Sequence, residues 1–108
     1  MENPMNLSDR VIIVTGAAQG IGRGVALKAA SLGARLALVD INGDGARETA
    51  ELLGGKADVH VGSVADPAFV QGMVEAVVAR HGTINGLFNN AGIIRTAMIH
   101  KMSLADWQ

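Results

Sequence analysis

Three glycines, Gly16, Gly20 and Gly22, stand where a run of aliphatic residues gives way to a helical pattern, and few folds accommodate that arrangement. The run Val11-Ile12-Ile13-Val14 shows no polar alternation, as expected of a central parallel strand covered on both faces. Gly16 then permits a sharp exit from the strand. Gly20 lets backbone approach a diphosphate with no side chain in the way, and Gly22 lets the helix pack closely on the strand. The unpaired N–H groups of the first helical turn, at the positive end of the helix dipole, can face an anion. Asp40 ends the next apolar run 20 residues after Gly20, where a carboxylate can accept hydrogen bonds from a ribose 2′-hydroxyl. Gln19 and Ile21 within the turn, and Ile41 after the acid, complete this part of a candidate dinucleotide site.

The rest of the chain repeats the strand-helix unit. Ile21, Val25, Ala29 and Leu32 fall at helical spacing and predict the buried stripe of the first helix, with Gly33 as its stop. Arg35 to Val39 is a second strand, followed by a turn through Gly43 and a surface helix whose stripe is Ala46, Ala50 and Leu53. Gly54-Gly55 ends that helix, Asp58 to Val61 makes a short third strand, and Gly62 to Ala65 is its exit loop. Asp66-Pro67 announces a third helix, Asp being a preferred cap and Pro being favoured at the first helical position. Phe69, Val70, Met73, Val74 and Val77 supply its buried face and His81-Gly82 its end. Ile84 to Asn89 reads as a fourth strand, Ile93 to Met102 as a loop, and Ser103 to Asp106 as the capping box of another helix. Alternation of this kind requires parallel strands with right-handed crossovers.

The glycine spacing G-x-x-x-G-x-G, the acid after the second strand and Asn89-Asn90-Ala91-Gly92 after the fourth together resemble the short-chain dehydrogenase/reductase family. The resemblance runs from about Leu7 to the end and covers the amino-terminal half of the family's domain. It implies an α/β fold, a Rossmann-like doubly wound parallel sheet reduced to about four strands in the order 3-2-1-4. The glycine turn then lies at the topological switch point, and the fourth strand is left as an open, association-prone edge. It implies that Asn90, Ala91 and Gly92 pack beside the adenosine ribose, while Asn89 serves the fold through backbone-directed hydrogen bonds. Family members often carry an Asp after the third strand that meets the adenine; Ser63 stands there in this chain, and Ser63 with the Val64 backbone can substitute. The family's chemistry rests on a later Tyr-x-x-x-Lys pair, and this chain contains no tyrosine. The chain is therefore expected to be the cofactor-binding part of an oxidoreductase moving hydride between an alcohol or carbonyl compound and the cofactor, and inactive by itself. The cofactor expected is NAD rather than NADP, because Asp40 would repel a 2′-phosphate and neither Gln19 nor Ile41 offers positive charge, although Arg23 and Arg47 could reach. Family habit also implies a homo-oligomer.

Composition bounds the alternatives. A chain of 108 residues makes one small domain, expected to be a partial one with a flexible lead-in over residues 1–6. The capping signal is followed only by Trp107 and Gln108, which reads as truncation. Net charge of −1 with scattered Lys and Arg gives no footprint for nucleic acid. No apolar run is long enough to span a bilayer, and no signal peptide is recognisable. Lack of cysteine excludes disulfides and thiolate chemistry and is compatible with a cytoplasmic location. His60, His81 and His100 lack ligand spacing, so no metal site is expected; His81 suits a helix carboxyl end, and Arg95 and His100 read as solvated loop residues. Two other readings compete. One is a non-catalytic nucleotide-binding module that associates with other subunits. The other is a methyltransferase, since Gly20-Ile21-Gly22-Arg23-Gly24 also spells G-x-G-x-G before an acid.

Overall fold

The computed structural model describes residues 6–90. Strands and helices alternate in the order β1 Val11–Thr15, α1 Gly20–Ser31, β2 Arg35–Asp40, α2 Gly43–Leu52, β3 Asp58–Val61, α3 Pro67–His81 and β4 Gly86–Asn89. The strands form one parallel sheet in the order β3-β2-β1-β4, the order that the family resemblance implies. Two steps in one direction followed by a jump back past β1 put α1 and α2 on one face and α3 on the other, because each crossover is right-handed.

The side chains of the central strands divide accordingly. Ile13, Ala37 and Val39 pack toward Val70, Met73, Val74 and Val77 of α3. Val14, Leu36 and Leu38 pack toward Ala26 and Ala29 of α1 and Ala50 of α2. Ile13 and Leu38 have no exposed surface, and burying an aliphatic side chain of that size contributes about 1.5–3 kcal/mol. The α1 and α2 face is made of alanines, which brings those helices close to the sheet.

Most element ends obey the turn chemistry in the sequence. Gly33, Gly54, Gly55 and Gly82 have positive φ at the ends of the three helices, and Asp66 caps α3 by accepting from Ala68 N at 3.0 Å. Some expectations need correction. The buried residues of α1 are Gly22, Ala26 and Ala29, whereas Ile21 is 71% exposed. The inward face is set by the contact of Gly22 with the turn, which rotates the helix away from the stripe led by Ile21. Helix α2 starts at Gly43, inside the expected turn, because Asn42 caps it by accepting from Gly45 N at 3.0 Å. Strand β4 begins at Gly86 rather than Ile84; Ile84 is fully buried ahead of it. Asn85 joins the start of β1 instead, its N–H donating to Val11 O and its Oδ1 accepting from Val11 N, both at 2.8 Å.

Among the described residues no helix is long and apolar enough to cross a membrane, and β4 borders only β1. Of the expected flexible lead-in only Asn6 is described, with its Oδ1 accepting from Ser8 N and Oγ. Residues 1–5, Ala91, Gly92, the expected loop and the Ser103 capping box lie outside the described residues.

Candidate functional site at the carboxyl end of the sheet

The turn from β1 to α1 uses its glycines as their spacing demands. Gly16 and Gly20 have φ of 66° and 60°, a region that side chains disfavour. A Cβ on Gly22 would stand 1.9 Å from the Gly16 carbonyl oxygen, so helix and turn meet backbone to backbone there. A Cβ at Gly20 would touch nothing within 4 Å among the described residues, which leave space open above that backbone. The start of α1 also differs from its neighbours. Asn42 and Asp66 cap α2 and α3 with side-chain oxygens, whereas Gln19 gives α1 no side-chain cap, and no acid sits in its first turn. N–H groups left in this way can bind an anion. Asn90 is tied to the same turn, its Nδ2 donating to Gly16 O at 3.4 Å, and Asn89 Oδ1 accepts from the Thr15 hydroxyl at 3.0 Å.

Asp40 closes β2 beside the turn. Its Oδ2 accepts from Ala18 N and its Oδ1 from Asn42 N, each at 2.9 Å. Both donors are neutral amides, so each carboxylate oxygen keeps acceptor capacity. Asp40 lines a cavity of about 260 Å³ with Gly16, Ile41, Gly62, Ser63 and Val64. The structure thus gathers Gly16, Asp40, Ile41, Ser63 and Val64 around one cleft, while Ile21 lies exposed on α1 outside its lining. Ser63 Oγ accepts from Ala65 N at 3.1 Å, and Val64 packs against the α3-side core.

Arg23, which in the sequence could reach toward the ribose, is engaged elsewhere. Its Nε donates to Thr49 Oγ1 at 2.9 Å, Nη1 to Glu48 at 2.8 Å, and Nη2 to Ala18 O at 2.6 Å. Arg47 pairs with Asp44 at 3.0 Å on the surface of α2. Thr49 is fully buried and donates to Ala17 O at 2.7 Å. Its role was visible in principle, because Ala46, Thr49, Ala50 and Leu53 share one helical face, but a polar residue between Glu48 and Ala50 reads as solvated.

At the opposite end of the sheet the histidines prove less dispersed than their sequence positions suggest. His60 and His81 both donate from Nε2 to Asp58, at 2.7 and 2.9 Å, and Arg80 approaches the same carboxylate at 3.7 Å. Burial would raise the Asp58 pKa, but the hydrogen bonds and charges of His60 and His81 outweigh it and hold the carboxyl at about 2. Among the described residues no three His, Cys, Asp or Glu side chains are grouped to hold a metal. The methyltransferase spelling also dissolves, since Gly20 to Gly24 lie inside α1 and not directly after β1.

The comparisons with known proteins bear on the family and the fold. The family described as short chain dehydrogenase matches residues 10–108. D-Threitol dehydrogenase of Mycolicibacterium smegmatis is 46% identical over 104 residues, which are 94% of this chain and 40% of that protein. A 3-oxoacyl-[acyl-carrier-protein] reductase of Thermotoga maritima is 42% identical over 95% of this chain and 43% of its own length. The solved structure of a citronellol catabolism dehydrogenase from Pseudomonas aeruginosa superposes with a TM-score of 0.76 at 29% identity, covering 94% of this chain and 46% of that one. The chain therefore spans less than half the length of these relatives.

Proposed function

Because the chain belongs to the short-chain dehydrogenase/reductase family, whose members bind nicotinamide dinucleotides, we propose that it is the part of such an oxidoreductase that holds NAD. The carrying observation is the pairing, among the described residues, of an α1 start with no side-chain cap, open above Gly20, with a carboxylate at the end of β2 held by two backbone amides. Gly16, Gln19, Gly20, Ile21 and Gly22 would hold the diphosphate with backbone N–H groups. Asp40 would accept from the adenosine ribose hydroxyls, and Ile41, Ser63 and Val64 would bound the adenine side of the cleft. Asn90, with Ala91 and Gly92, would brace the turn from β4. The bound cofactor supplies the carbon that gives or takes hydride; this chain's residues bind and orient it.

The choice of NAD over NADP follows from charge. A 2′-phosphate at Asp40 would meet a like charge, and the guanidinium of Arg23 is committed to Thr49, Glu48 and Ala18. The substrate reading, an alcohol or carbonyl compound, rests on the relatives' being dehydrogenases and reductases. Family habit supports a homo-oligomer.

Titration of the chain with NADH and with NADPH, followed by nicotinamide fluorescence, tests the proposal. NADH should bind at least about tenfold tighter, and Asp40→Ala should remove that preference, since a hydrogen bond to a charged group contributes about 1.5–3 kcal/mol. No binding by the folded chain would refute the cofactor assignment; tighter NADPH binding would refute the choice of NAD.

A further inference from the structure

We infer that Arg23 and Thr49 are positioning residues that fix Asp40 for the ribose and thereby set the discrimination between NAD and NADP, an inference that rests on the NAD reading. Four groups are linked in series. Arg23 Nε donates to Thr49 Oγ1 at 2.9 Å, and the Thr49 hydroxyl donates to Ala17 O at 2.7 Å. The N–H of that same peptide group, on Ala18, donates to Asp40 Oδ2 at 2.9 Å. A cation is thus connected to a carboxylate through one hydroxyl and one peptide, with every donor pointing the same way.

Bonds arranged in series polarise one another, and they are strongest where water cannot compete. Thr49 has no exposed surface, which meets that condition. Its hydroxyl has a single proton, and the 2.7 Å contact with Ala17 O is shorter than the alternative of 3.2 Å to Gly45 O. The following peptide is held as well, where Arg23 Nη2 donates to Ala18 O at 2.6 Å. The Ala17-Ala18 segment is therefore clamped from α1 and α2 at once, and it presents a polarised N–H to one oxygen of Asp40. Asn42 N holds the other oxygen at 2.9 Å, so the plane of the carboxylate is fixed by two donors. The same clamp withdraws the Arg23 guanidinium from any 2′-phosphate. Thr49 thus acts twice on one choice: it steadies the acceptor that NAD needs and retains the cation that NADP would recruit.

The test compares Thr49→Val, which keeps shape and loses the hydroxyl, with Thr49→Ser, which keeps the hydroxyl, and with Arg23→Gln on the partly exposed side of the relay. Thr49→Val should weaken NADH about tenfold with NADPH unchanged or tighter, so the discrimination ratio falls about tenfold, the size expected for one charge-linked hydrogen bond. Thr49→Ser should retain the wild-type ratio. A second readout needs no cofactor: the amide proton resonance of Ala18 should move upfield in Thr49→Val and in Arg23→Gln, as its hydrogen bond to Asp40 weakens. Unchanged discrimination in a folded Thr49→Val, or an equal loss in Thr49→Ser, overturns the inference. An Ala18 resonance that stays in place in Arg23→Gln overturns it even if Thr49→Val fails to fold. If the wild-type chain binds neither dinucleotide the NAD reading fails instead, and the Ala18 resonance still decides whether the relay exists.

Discussion

Asp40 and Asp58 lie on neighbouring strands at opposite ends of the sheet, one closing β2 and the other opening β3, and they are treated in opposite ways. Asp40 is met by two backbone amides. Asp58 is met by two imidazoles, with a guanidinium close by. Amides orient a carboxylate and leave its charge available to a ligand, whereas cationic or ionisable partners consume it. The ends of the helices follow the same division. At the carboxyl end of the sheet the helices begin, α1 without a side-chain cap; at the amino end they finish, with Lys28 in the last turn of α1 and Arg80 and His81 in that of α3, where positive charge suits the helix dipole. A cavity of about 770 Å³ lies at that amino end, lined by Arg35, Lys56, Arg80 and His81 among others, and it is larger than the 260 Å³ cleft beside Asp40. Size is a poor guide here. The larger space adjoins no helix start; Arg80 and His81 there face Asp58, and Arg35 pairs with Asp9 at 3.5 Å.

The comparison can be broken most sharply at Gly22. Gly22→Val would drive a side chain into the Gly16 carbonyl, 1.9 Å from where its Cβ must stand. NADH affinity should fall by about a hundredfold or more, with about 3 kcal/mol lost from stability as the turn shifts. Wild-type affinity in that variant would mean that the backbone contact does not shape the site.

Asp58 supplies the next effect, and its sign is fixed by a lowered pKa. A carboxyl held at about 2 in the folded chain, against 3.8 in the ordinary state, contributes stability above pH 4 that is lost as pH falls toward 2. That contribution is about 2 kcal/mol, and Asp58→Asn should lack it, so wild-type and variant stabilities should converge in acid. Denaturant unfolding between pH 2 and pH 7 measures this. The variant's ratio of NADH to NADPH affinity should stay at the wild-type value, the reverse of the result expected for Asp40→Ala. A changed ratio would erase the distinction between the two aspartates.

The smallest effect belongs to a helix start that is capped from within. Asp66→Ala removes the acceptor for Ala68 N and should cost about 1 kcal/mol in thermal or urea unfolding, leaving NADH binding unaltered. An equal loss of NADH affinity would show that the starts of α1 and α3 are not independent.

Much of this was legible from residues one after another. The uninterrupted aliphatic run before Gly16, the glycines at 33, 54, 55 and 82, and the Asp66-Pro67 pair each act within a few residues of themselves, so strands, stops and caps could be read directly. The place of Asp40 at the end of β2 was legible because it closes the apolar run Leu36 to Val39. The inward face of α1 was misjudged because its direction depends on a contact between Gly22 and Gly16 that hydrophobic spacing does not encode. The partners of Arg23 were hidden for a related reason, since Glu48 and Thr49 are 25 and 26 residues away and belong to another helix.

By itself, then, the sequence determined the alternation of strands and helices, the glycine turn and the acid that follows, because each is governed by local backbone freedom and short-range periodicity. The tertiary structure alone decided where charge is spent. It brought His60 and His81 onto Asp58, and it locked Arg23 onto Thr49 beneath the turn. Pairings of that kind depend on which helix ends and strand ends the right-handed crossovers bring together, and no stretch of neighbouring residues carries that information.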